Sequence, residues 1–165
     1  MSSYDPSAVE LLSFAKSLPD FLDGSDTPRA YLERCIETIE TREPKVQAFS
    51  ALNLHGARAA ADAATDRYKA GQTLSPVDGM PVAIKDVFDT EDMRTTFNSD
   101  LFRDNQTAWD GACPYFFRRG GGVIIGKTVT TEFAFGTPGP TRNPWDTKRT
   151  PGGSSSGSGA AVGAS

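Results

Sequence analysis

Four serine hydroxyls crowd into five positions, Ser154, Ser155, Ser156 and Ser158, directly behind Pro151-Gly152-Gly153. Glycine lets a backbone bend tightly and approach other groups closely. Ala160-Ala161-Val162, which follows, reads as the opening of a small-residue helix. The free N–H groups of that helix would face the serine loop. Hydroxyls, close backbone approach and a helix N-terminus suit proton relay and anion stabilisation, as nucleophilic chemistry would use. The same composition also fits a flexible linker. The Asn143-Pro144-Trp145 anchor before the loop and the Ala-Ala-Val run behind it favour a folded site.

Such chemistry needs a base, and Lys85 is the candidate. It ends the apolar run Pro81-Val82-Ala83-Ile84. Burial there disfavours the ammonium form, and a neutral lysine is a competent general base. The alternative is a structural lysine paired with Asp86 or another acid at the strand end. His55, the one histidine, lies in an alanine-rich stretch where nothing suggests a Ser-His-Asp triad. With Cys35 and Cys113 it has no metal-ligand spacing, so no metal and no cofactor is expected.

Two nucleotide-binding patterns fail on context. The stretch from Gly121 to Gly126-Lys127-Thr128 satisfies the spacing G-x-x-x-x-G-K-[ST]. That mechanism requires a strand before the first glycine and a helix after the lysine. Here a helix precedes it, and Val123, Ile124 and Ile125 favour a strand where an open anion cradle should be. Gly157-Ser158-Gly159 through Gly163 is one residue too long for the dinucleotide fingerprint.

The elements that must position these groups are legible as patterns. Residues 7–17 space their apolar positions as a short amphipathic helix. Thr27-Pro28 reads as an N-cap and first-turn proline, opening a helix to about Arg42 that Glu43-Pro44 stops. A third helix is expected over 55–70, ended by Gly71. The texture then becomes α/β. A buried strand ends at Lys85, a helix runs over 110–119 with Asp110 as its cap, and a second buried strand covers Val123–Ile125. We therefore expect an N-terminal helical segment at 1–75 and the start of an α/β core at 76–165.

Composition narrows the function classes. Of the 165 residues, 38% are hydrophobic and 23% charged, as in soluble globular proteins. A formal net charge of −4 does not favour nucleic acid or an anionic membrane surface. No apolar run approaches the roughly 20 residues that cross a bilayer. The first residues carry Asp5 and Glu10 and no basic residue, unlike a secretory signal, so a cytoplasmic location with reduced thiols is expected.

Taken together, several blocks resemble the amidase signature family of serine hydrolases. They are Gly79-Met-Pro-Val-Ala-Ile-Lys85-Asp86, Gly122 to Thr128, Thr131-Glu132-Phe133-Ala134-Phe135-Gly136, Asn143-Pro144-Trp145 and Pro151-Gly-Gly-Ser154-Ser-Ser-Gly-Ser158. The resemblance covers the chain from about Thr27 onward. It implies a mixed β-sheet core covered by helices, present here only in part. It also implies a Ser-Ser-Lys triad, with Lys85 as base and Ser154 as the bridging serine on a cis peptide bond. Ser155 would support the lysine by hydrogen bonding. Thr131, Glu132, Phe133 and Gly136 would line the substrate pocket, although Phe133 and Phe135 equally fit a core. The nucleophilic serine of the family pattern would fall beyond Ser165, so the chain reads as the N-terminal third of a member and as inactive alone. The implied reaction converts a carboxylic amide to a carboxylate and ammonia or an amine through an acyl-enzyme. The implied partner is a small-molecule amide, with homo-oligomerisation open. The alternatives are the amidase subunit of a glutamyl/aspartyl-tRNA amidotransferase and an inactive remnant.

Overall fold

The computed structural model describes residues 12–164. The N-terminal helix expected at 7–17 falls partly outside them. Within them, helix α1 spans Phe14–Asp23, further along than the spacing suggests. The reason is packing. Phe14, Leu18 and Phe21 form the stripe that meets Tyr31 and Tyr68, and Gly24 ends the helix at φ +82°.

Helix α2 runs Pro28–Val46. Its cap is as expected: Thr27 Oγ1 accepts the Ala30 N–H at 3.1 Å. It does not stop at Glu43-Pro44. In the last turn a proline forfeits one backbone bond and its ring still fits helical φ. The helix ends instead at Gln47, in the left-handed region at φ 53°. Glu43 then joins helix to sheet, its carboxylate accepting the N–H groups of Ala48 and Phe49 at 3.0 and 2.9 Å.

Strand β1, Phe49–Leu52, is absent from the sequence-based expectation, so the N-terminal segment is not purely helical. Helix α3 follows at Leu54–Lys69, capped by Asn53, whose Oδ1 accepts the Gly56 N–H. Strand β2 is Pro81–Lys85, ending at the lysine as expected. Helix α4 is Ala112–Arg119 with Gly111, not Asp110, at its cap. Asp110 is drawn elsewhere: it accepts the Glu91 N–H and pairs with Arg118.

Strand β3 spans Val123–Thr128, three residues beyond the expected Ile125, and all six residues are buried. Gly126-Lys127-Thr128 is therefore strand, with no phosphate loop. Gly126 is required by proximity, since a Cβ there would sit 2.5 Å from the Ala51 carbonyl oxygen. Helix α5, Ser156–Ala164, starts four residues earlier than Ala160, so Ser156 and Ser158 lie inside its first turn.

The sheet is mixed, in the order β1-β3-β2, with β1 antiparallel and β2 parallel to β3. On one face Val123 and Ile125 join Leu32 and Ile36 of α2 and Ala57 and Ala61 of α3 in the main core. On the other, Ile84 and Ile124 pack with Met93. The architecture is α/β with helices on the sheet, as expected.

Candidate active site

Three distant stretches meet at the end of β3. The parallel register sets Lys85 beside Thr128, and the Asp86 N–H continues the ladder to the Thr128 carbonyl at 2.9 Å. The chain past β3 then receives the serine loop. The Ser154 carbonyl accepts the Thr131 N–H at 3.0 Å and the Thr130 hydroxyl at 3.1 Å. The Val129 carbonyl accepts the Gly157 N–H at 2.8 Å and the Ser156 hydroxyl at 3.2 Å. The Thr128 and Ser158 hydroxyls lie 2.8 Å apart. The loop is thus fastened residue by residue along the strand exit, unlike a linker.

This fastening brings together the two residues singled out from sequence. Lys85 Nζ donates to Ser154 Oγ at 2.7 Å. Both are half-buried, and the Gly153–Ser154 peptide bond is cis. Gly153 leaves no room for a side chain, since a Cβ would sit 2.7 Å from Thr131 Cγ2.

The other candidates fall nearby with different exposures. Ser155 is exposed in the same turn and, among the described residues, makes no hydrogen bond to Lys85. Thr131 is buried and holds the serine loop through its N–H. The Glu132 carboxylate accepts the Ser99 hydroxyl at 2.9 Å. Phe133 is half-exposed and rests against Phe97 and Phe102. Gly136 is open to solvent, and Phe135 is 92% exposed, which removes it from the core.

Sequence reasoning missed the buried partner of Asp86. That partner is Lys127, fully buried, with Nζ 3.1 Å from Asp86 Oδ1. The ion pair considered for Lys85 therefore belongs to the second lysine. The clue lay in the Gly-Lys-Thr triplet, once its context ruled out phosphate binding. His55 is exposed at the start of α3. Cys113 is exposed, and burial pushes the Cys35 thiol up to about 11. Among the described residues no cluster of His, Cys, Asp or Glu could hold a metal, and no helix is long and apolar enough to cross a membrane.

The structure thus joins a lysine at the end of a parallel strand to a serine in a glycine-serine loop. The chain belongs to the amidase signature family: the Amidase family model matches residues 30–165. It is similar to a glutamyl-tRNA(Gln) amidotransferase subunit from Acidothermus cellulolyticus, 41% identical over 95% of this chain and 31% of that protein. Its fold is similar to the peptide amidase of Stenotrophomonas maltophilia, 25% identical with a TM-score of 0.82, covering 89% of this chain and 33% of that one. A second solved structure is the inhibitor-bound form of a vestigial protein complex described as revealing the origins of an s-triazine catabolic enzyme. It is 34% identical with a TM-score of 0.87, over 93% of this chain and 35% of its own. The chain spans about a third of the length of the curated relatives it matches.

Proposed function

We propose that the full-length protein cleaves a carboxylic amide through a serine acyl-enzyme, with Lys85 as general base and Ser154 as the bridging serine. The observation that carries this reading is the 2.7 Å hydrogen bond from Lys85 Nζ to Ser154 Oγ. Such a contact suits a lysine that takes a proton through an intervening hydroxyl. The nucleophile is a serine outside these 165 residues. It attacks the amide carbonyl and its proton passes to Ser154, whose own proton passes to Lys85; for this step the amine accepts from the Ser154 hydroxyl, the reverse of the direction in which it donates in this structure. The relay runs backwards to protonate the leaving amine, and water then releases the carboxylate. Thr131, Glu132, Phe133 and Gly136 border the acyl group in this reading.

Lys85→Ala and Ser154→Ala in the full-length protein test the assignment. Each is expected to slow formation of the acyl-enzyme by at least about 100-fold, the usual contribution of a positioned acid–base group. Full turnover by Lys85→Ala overturns the relay.

A second reading is the amidase subunit of a tRNA amidotransferase, which would release ammonia for a partner. The similarity to the Acidothermus protein favours it. The two readings share the amide-cleaving step and differ in what becomes of the ammonia.

A further inference from the structure

We propose that Lys127 is a positioning residue for Lys85, acting through Asp86 from the opposite face of the sheet. This rests on the reading of Lys85 as the base.

The register pairs Ile84 with Lys127 and Lys85 with Thr128. Neighbouring strand residues point to opposite faces, so Lys127 leaves the sheet away from Lys85, on the side of Ile84 and Asp86. Its ammonium is wholly enclosed. It donates to Thr95 Oγ1 at 2.8 Å and to the Arg94 carbonyl at 3.3 Å, and pairs with Asp86 Oδ1 at 3.1 Å. Asp86, 1% exposed, also accepts the Thr96 N–H at 3.2 Å and the Thr96 hydroxyl at 2.6 Å. Burial pushes the Lys127 ammonium towards its neutral form, and Asp86, with Asp89 and Asp92 beyond it, opposes that.

A buried ion pair is a poor device for stability, because well-packed apolar residues of similar volume often do as well or better. This one has a geometric consequence. Asp86 is the residue after Lys85, and the turn behind it folds back on the lysine, with the Val87 N–H on the Lys85 carbonyl at 2.7 Å. Lys127 clamps that turn and the 94–96 segment to β3, the strand along whose exit the serine loop is fastened. Both ends of the Lys85–Ser154 contact are therefore referred to one strand.

The test uses the full-length protein with a simple amide and reads Tm, kcat and KM. Lys127→Met alone strands the Asp86 carboxylate and lowers Tm. Lys127→Met/Asp86→Asn removes both charges and should recover most of that loss. Its kcat should still fall at least about tenfold with KM near the parent value, since small misplacements of a catalytic group are costly. Thr95→Val, similar in shape but without the hydroxyl that accepts from Lys127 and donates to the Phe88 carbonyl, should lower kcat by a smaller factor in the same direction, with its Tm read alongside to confirm that it folds. A double variant with recovered Tm and parent kcat overturns the inference. If the double variant fails to fold, parent kcat in Thr95→Val overturns it. Lys85→Ala is run alongside: turnover there removes the base assignment itself, whereas an inactive Lys85→Ala beside fully active Lys127 and Thr95 variants removes only the positioning role.

Discussion

Asp78 is completely buried and accepts Arg67 Nε at 2.9 Å, Arg67 Nη2 at 2.6 Å and the Leu74 N–H at 2.9 Å. It staples the end of α3 to the approach to β2. Asp78→Ala strands both the guanidinium and the amide, so a loss of about 3 kcal/mol is expected, as for other broken buried pairs. Urea unfolding of the full-length protein measures it. A loss below about 1 kcal/mol would class the pair with surface ion pairs instead. At this scale the sequence is readable where a residue's role follows from its neighbours in the chain. Lys85 ends an apolar run, and Ser154 heads a glycine-serine block. Asp78 and Lys127 are not readable in that way, because their partners lie 11 and 41 residues away and only the fold brings them together.

Among the elements, α5 carries the serine loop and is seated by one glycine. A Cβ on Gly157 would lie 2.2 Å from the Ala48 carbonyl oxygen and 2.4 Å from the Val129 nitrogen. Both are backbone atoms of the sheet region and cannot give way cheaply. Gly157→Ala is therefore expected to cost about 1–3 kcal/mol, as overpacking does. It should also slow acyl-enzyme formation by displacing Ser154. Gly159 on the same helix meets nothing within 4 Å, so Gly159→Ala should leave acylation intact and raise Tm slightly through helix propensity. Equal acylation rates in the two variants would refute the seating argument. Strands β2 and β3 are visible as short apolar runs. β1 is hidden, since Phe49–Leu52 alternates half-buried and exposed residues over four positions between two helices. The start of α5 is misjudged from sequence because serine and glycine suggest a loop, while the carbonyl of Val129 fixes the first turn from outside the helix.

For the whole molecule, the question is which parts of the reaction need a partner. Lys85, Thr128–Thr131 and Ser154–Ser158 are all referred to β3, and the Lys85–Ser154 contact is complete within this chain. If these two residues are the base and relay proposed above, they need no second protein to meet. The full-length protein is therefore expected to form its acyl-enzyme from a simple amide or from glutamine without ATP and without any partner, at a rate that Lys85→Ala abolishes. The two settings of the chemistry then separate in the second half of the reaction. A stand-alone amidase releases ammonia or amine at the same rate whether or not other proteins are present. An amidotransferase component shows acylation that rises on assembly and ammonia that appears on a charged tRNA instead of in solution. Rapid-quench measurement of the acyl-enzyme, alongside free ammonia, distinguishes them. Acylation undetectable until a partner binds would refute the claim that the contact seen here is sufficient to activate the nucleophile.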